Sequence, residues 1–259
     1  MSKHPFHLVS PSPWPLLVAS FLLISFIGFV VYIHLSLLFP FLLSLMGLVG
    51  CVILWFWSII LEGTFLGFHT TRVTTGLRLG FILFIISEVF FFVSFFWAYL
   101  HFALSPAVEI GSLWPPLGIS VPQYESLPFL NTCLLLVSGS TLTCAHFYLK
   151  IGATSCCSTY IGLTIFLGSV FIGVQLVEYY LSSFTISDSA YGSSFFLATG
   201  FHGLHVFIGT LILLVALARL FNGHFTESRH FGLEFRIWYW HFVDVIWLLL
   251  YLIIYVWGT

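Results

Sequence analysis

Apolar residues come in long uninterrupted runs along this chain, and polar positions cluster in short breaks between them. A helix that crosses a hydrocarbon layer needs about 20 apolar residues at about 1.5 Å rise each. Seven runs reach that length, at roughly 15–36, 41–61, 74–104, 129–149, 157–181, 192–220 and 235–257. Phe39-Pro40 is expected to separate the first two, because proline cannot continue a helix and restricts the residue before it. The segment 105–128 holds Pro106, Pro115, Pro116, Pro122 and Pro128 and forms the longest loop. Polar turns follow at Ser182 to Ser189, with Asp188, and at Asn222 to Glu227. Strands of a membrane barrel alternate apolar and polar residues over about 10 positions. Here the runs are continuous and about twice that length, and a helix pairs its own backbone amides without a neighbour. The pattern predicts an all-α membrane protein with seven transmembrane helices.

Composition agrees. The 259 residues are 60% hydrophobic and 6% charged, against about 25% charged in soluble domains. The mean hydropathy is +1.10. Too few polar residues exist to cover an aqueous surface, so lipid must solvate most of the chain. Charge then sets orientation. Lys3, Arg72, Arg78, Lys150, Arg219, Arg229 and Arg236 all fall on the side of the N-terminus, while the opposite loops carry Glu109, Glu125 and Asp188. The positive-inside rule puts the N-terminus in the cytoplasm or its equivalent, the mitochondrial matrix. Met1 to Trp14 is polar and proline-broken and shows neither a cleavable signal nor an Arg-rich transit pattern, which favours synthesis inside the organelle if the protein is mitochondrial. The formal net charge of -2 offers nothing to nucleic acid. Cys51, Cys133, Cys144, Cys156 and Cys157 form no C-x-x-C, and read as thiols among apolar side chains.

Ionisable residues at membrane depth carry the chemical information. Glu88 lies mid-span in Ile85 to Phe92, where a charge costs about 2.5–3.5 kcal/mol. It is therefore either protonated or turned to protein or a water pocket. Its readings are a proton-relay or lipid-headgroup carboxyl, or a neutral carboxyl bonded to a neighbouring helix. His241 and Asp244, three residues apart, share a helix face, and a buried hydrogen bond between them accounts for both. Glu178, beside Tyr179 and Tyr180, reads as an interfacial carboxylate in an aromatic belt. His202 and His205 have a spacing that can place both on one metal. Packing competes with that reading, helped by Gly200, Gly203 and Gly209, which allow close helix approach. No second set of intramembrane histidines completes a haem site, so no metal ligand is assigned. Trp14, Trp55, Trp57, Trp114, Trp238, Trp240 and Trp257 are expected near the interfaces. The third span, 31 residues or roughly 46 Å, must tilt or protrude. A lipid-filled cleft between the first two spans and the other five would follow from such splaying.

At these residues the chain resembles cytochrome c oxidase subunit III over essentially its whole length. The matching stretches are His4 to Val9 with Pro11-Ser12-Pro13-Trp14-Pro15; Ile85 to Trp97; Trp114-Pro115-Pro116; Leu130-Asn131-Thr132; Tyr191-Gly192-Ser193 through Thr199 to His205; and Trp238 to Asp244. The length looks like the mitochondrial form. The resemblance implies one membrane domain, 1–259, in which helices within 15–61 and a five-helix bundle within 74–257 surround a phospholipid-filled cleft. It implies a non-catalytic subunit of the terminal oxidase in the mitochondrial inner membrane, beside subunits I and II and accessory subunits. Haems and coppers belong to subunits I and II, and this subunit stabilises the catalytic one and supports proton uptake and oxygen entry. Glu88 matches the family's carbodiimide-reactive carboxyl. Glu62, His69, Glu88, His205, Arg219 and His224 match positions near cleft lipids of phosphatidylethanolamine, phosphatidylglycerol or cardiolipin type. Trp55 to Glu62 and Asn222-Gly223-His224 carry fewer charged residues than many relatives. The competing function classes are a proton-coupled secondary transporter working through Glu88 and Asp244, which would need broken helices at a midplane site, and a free-standing haem enzyme.

Overall fold

The computed structural model describes residues 5–258, apart from the side chain of Glu109. Lys3 and His4 thus lie outside the described residues. Among the described residues, seven helices are long and apolar enough to cross a membrane. They are α1 (Trp14–Leu35), α2 (Leu38–Thr64), α3 (Thr71–Leu104), α4 (Leu127–Lys150), α5 (Thr154–Leu181), α6 (Ser189–Phe221) and α7 (Phe231–Leu250), and α7 continues as a π-helical turn, Tyr251–Val256. A short 3-10 turn, Val108–Ile110, interrupts the long loop after α3. No strand occurs among the described residues.

One boundary moves for a clear reason. Pro40 does not separate α1 from α2 but sits in the first turn of α2. The break falls at Ser36, whose left-handed backbone (φ 56°) closes α1. First-turn amides have no partner inside a helix, so proline's missing N–H costs nothing there. Pro15 and Pro128 open α1 and α4 in the same way.

The chain divides into two compact units, Met1–Arg78 and Leu79–Thr259, with the division inside α3. In the first unit α1 lies against α2. A Cβ added at Gly28 would come within 2.9 Å of the Phe41 Cα, so the missing side chain lets the two backbones touch. The buried positions there are Ser25, Gly28 and Ser44. Ser25 and Ser44 donate to the carbonyls of Phe21 and Phe41 in their own helices. Most large apolar side chains of α1 and α2 point outward, as lipid-facing helices require.

The second unit has a true core in α4–α7, with α3 attached through aromatic rings. Phe81 stacks on Phe235 at 4.6 Å, Phe92 meets Phe242 at 6.2 Å, and Phe91 meets Phe201 at 5.2 Å. Trp240 is the centre of this core and is fully buried. Its indole fills the space left by Gly168 on α5 and Gly209 on α6, and its Nε1 donates to Ser138 Oγ on α4 at 2.9 Å. One side chain on α7 therefore touches three other helices. The indole, expected among the interfacial tryptophans, packs wholly within protein. The i, i+3 neighbours Trp240 and Val243 are both buried, so this face of α7 points inward.

Gly168 allows a direct test. A methyl added there would lie 2.6 Å from Trp240 Cη2 and 2.8 Å from Thr210 Cγ2. Overpacking of this kind costs about 1–3 kcal/mol. Gly168→Ala should lower the thermal midpoint of the detergent-solubilised protein, whereas Gly162→Ala, with open space around its position, should not.

Candidate functional site

Helices α3 and α6 bring Glu88 and His205 together at the depth where a lone charge is most costly. Glu88 Oε2 lies 2.9 Å from His205 Nε2. The other ring nitrogen, Nδ1, lies 2.7 Å from the Phe201 carbonyl oxygen, one turn back on α6. A carbonyl only accepts, so Nδ1 must carry a proton. The bond between Nε2 and Oε2 then needs one further proton, which rests either on the carboxyl or on the imidazole. In both forms the pair has no net charge. Phe92 meets the His205 ring edge-on at 5.0 Å, and Tyr239 stacks on it at 6.3 Å. The carboxyl side chain keeps 23% of its surface exposed and the imidazole 12%. The pair is thus a shared-proton hydrogen bond in an aromatic wall, open on the carboxyl side.

The remaining site residues from the sequence fall into two other places. In the first unit, Glu62 at the end of α2 accepts from or pairs with His7 at 3.2 Å. The His69 ring lies 6.2 Å from the His7 ring, and against Gly63. Thr70 donates to the Pro5 carbonyl at 2.5 Å, which ties the N-terminal segment to the α2–α3 turn. In the second unit, Arg219 ends α6 and lies over the Phe225 ring at 4.6 Å. The His224 backbone N–H donates to the Arg219 carbonyl. Burial, and then the Arg219 charge, hold the His224 imidazole below its ordinary pKa. A Cβ at Gly232 would lie 3.2 Å from Arg219 Nη1 and 3.4 Å from Arg236 Nη1, so two guanidinium groups converge on this glycine. Fourteen residues of α6 separate His205 from Arg219, roughly 21 Å of helix. Within the second unit the pair and the basic corner are therefore separate contact points on one helix.

Three expectations need correction. His241 is not in a buried hydrogen bond with Asp244: the two stand 3.7 Å apart, and His241 is 42% exposed. His241 Nε2 lies instead 3.3 Å from Thr143 Oγ1, while Asp244 occupies the space beside Gly139. Glu178 is not an exposed carboxylate in an aromatic belt. It is buried, and Tyr255 donates to its Oε1 at 2.7 Å, because α5 turns this residue toward the α7 extension. His202 does not join His205 on one ion: its Nε2 lies 3.1 Å from the Val243 carbonyl, and both nitrogens of His205 are already engaged.

Comparison with known proteins decides the family. The profile described as "Cytochrome c oxidase subunit III" matches residues 4–259. The chain belongs to the cytochrome c oxidase subunit III family. It is 51% identical over 258 residues to cytochrome c oxidase subunit 3 of Neurospora crassa, covering 99% of this chain and 96% of that one. It is 49% identical to the protein of the same name from Branchiostoma lanceolatum, covering 99% and 98%. With the Osphranter robustus protein it shares 51% identity over 260 residues, covering 99% and 98%.

Subunit III kinship over the full length, together with unbroken helices at both Glu88 and Asp244, leaves the transporter reading unsupported. Sequence reasoning missed His7 as the partner of Glu62, Arg236 beside Arg219, and the meeting of His146, His230 and Glu234. Only the His230/Glu234 spacing of four residues could have signalled any of these, since the other partners come from distant parts of the chain.

Glu88→Gln keeps one donor for His205 Nε2 and should leave stability nearly unchanged. Glu88→Ala leaves that nitrogen without its partner and should cost about 1–3 kcal/mol. Thermal unfolding of the two variants side by side checks this.

Proposed function

We propose that the chain is a non-catalytic core subunit of cytochrome c oxidase that stabilises the catalytic subunit and supports proton uptake and oxygen access. Family membership makes it a subunit of that oxidoreductase, a multi-pass membrane protein working with the other subunits of the complex. The finer reading places it in the mitochondrial inner membrane with the N-terminus in the matrix, against subunits I and II and accessory subunits. It carries no redox cofactor of its own and binds phospholipids of phosphatidylethanolamine, phosphatidylglycerol or cardiolipin type.

The Glu88–His205 pair carries this reading. Its imidazole has both nitrogens committed to hydrogen bonds, and its single shared proton suits a residue that buffers or passes a proton beside the catalytic subunit rather than one that ligates a haem. Lipid binding has a different support. Arg219 and Arg236 converge beside His224 at one end of the second unit, and like charges held together favour an anionic headgroup. Glu62 and His69 provide a headgroup corner in the first unit, and the open side of Glu88 provides one at depth. Lys150, Arg219, Arg229 and Arg236 gather where α4 and α6 end and α7 begins, which supports a matrix-facing location for that end.

Affinity purification in mild detergent tests the assignment. The chain should be recovered with haem-bearing subunits I and II. Its recovery without them, or with haem bound to it alone, overturns the proposal. In the same preparation Arg219→Gln combined with His224→Gln should deplete bound anionic phospholipid measured by mass spectrometry, and Glu88→Gln should leave oxygen reduction largely intact. Complete loss of oxygen reduction in an assembled Glu88→Gln complex would make that carboxyl essential to the chemistry.

A further inference from the structure

We propose that His146, His230 and Glu234 bind a divalent transition-metal ion of the zinc class at the basic end of the second unit. These are the residues that, among those described, bring three metal-ligating side chains within 4.8 Å of one another. They come from two helices and the turn before one of them: His146 from the last turns of α4, His230 from the residue preceding α7, and Glu234 from the first turn of α7.

The distances match the coordination of zinc. Zinc–nitrogen bonds run about 2.0–2.1 Å and structural and catalytic sites are near tetrahedral, which puts two ligating nitrogens about 3.3–3.4 Å apart. His146 Nε2 and His230 Nε2 are 3.3 Å apart. Glu234 Oε1 is 3.6 Å from His230 Nε2. Three protein ligands leave a fourth position for water or an exogenous group.

His230 is also oriented as a metal ligand. Its Nδ1 lies 3.0 Å from the Thr226 carbonyl and donates to it, so the proton is on Nδ1 and the lone pair on Nε2 faces His146. That carbonyl is held in turn by the Arg229 backbone N–H at 3.2 Å, and Thr226 Oγ1 accepts from the same N–H at 3.1 Å. His230 is buried, while His146 and Glu234 remain partly open for entry. Lys150, one turn beyond His146, and Arg229, next to His230, oppose a cation, and the Glu234 carboxylate offsets them. Without an ion, one Nε2–H donates to the other nitrogen, and the same three side chains hold a proton where they would hold zinc.

The test uses the assembled oxidase, stripped by chelation and dialysed against buffered micromolar Zn2+. The wild-type complex should bind one equivalent more than complexes carrying His146→Gln or Glu234→Gln, with haem content and subunit stoichiometry confirming assembly. X-ray absorption of that extra equivalent should show two imidazole ligands. Equal zinc content and affinity in all three complexes overturns the proposal. A second measurement needs no variant: Zn2+ should protect the partly open His146 in the wild-type complex from diethyl pyrocarbonate, mapped by mass spectrometry. Unchanged modification of His146 also overturns it.

Discussion

Polar atoms inside a membrane bundle have no water to fall back on, and their pairing across helices is the constraint that organises the second unit. Trp240 donates to Ser138, Trp247 to Thr132, Tyr179 to Thr199 and Tyr255 to Glu178. Asn131 donates to Gln175, and Thr141 bonds with Thr164. Each of these joins two different helices. Apolar burial cannot choose between neighbours when lipid is as apolar as leucine, so hydrogen bonds and close glycine contacts fix which helix faces which. The Glu88–His205 bond belongs to the same class. It differs in being open on one side and in carrying a proton that has two places to rest.

The first unit shows what happens where such groups are few. Helices α1 and α2 meet through the backbone contact at Gly28, and their buried serines bond within their own helices. Their large apolar side chains are left outward. A pair of helices built this way has a broad surface for acyl chains. Three of its ionisable groups, His7, Glu62 and His69, gather at the end of α2. In the second unit Arg219 and His205, the partner of Glu88, stand about 21 Å apart along α6.

Much of this was legible from residue order. Continuous apolar runs gave all seven helices to within a few residues, because length and hydropathy alone decide whether a segment spans. Pro40 reads as a break because a proline in a first turn and one between helices look alike in sequence. The depth of Glu88 was readable, but not its partner 117 residues away on α6. Residue type predicts an average depth for Glu178 and Trp240, but not what each packs against. Tyr255 and the glycines on α5 and α6 decide that, and only packing reveals them. The His146–His230–Glu234 cluster is hidden for the same reason: only the His230/Glu234 spacing is local, and His146 comes from the end of α4, 84 residues before His230.

A double-mutant cycle on Glu88 and His205 tests most directly whether polar pairing across helices holds the second unit together. Single and double alanine variants would be compared by reversible unfolding in detergent micelles. The account predicts a coupling free energy of about 0.6–1.7 kcal/mol, the range for hydrogen bonds between membrane helices. Additive effects, with a coupling below about 0.3 kcal/mol, would contradict it.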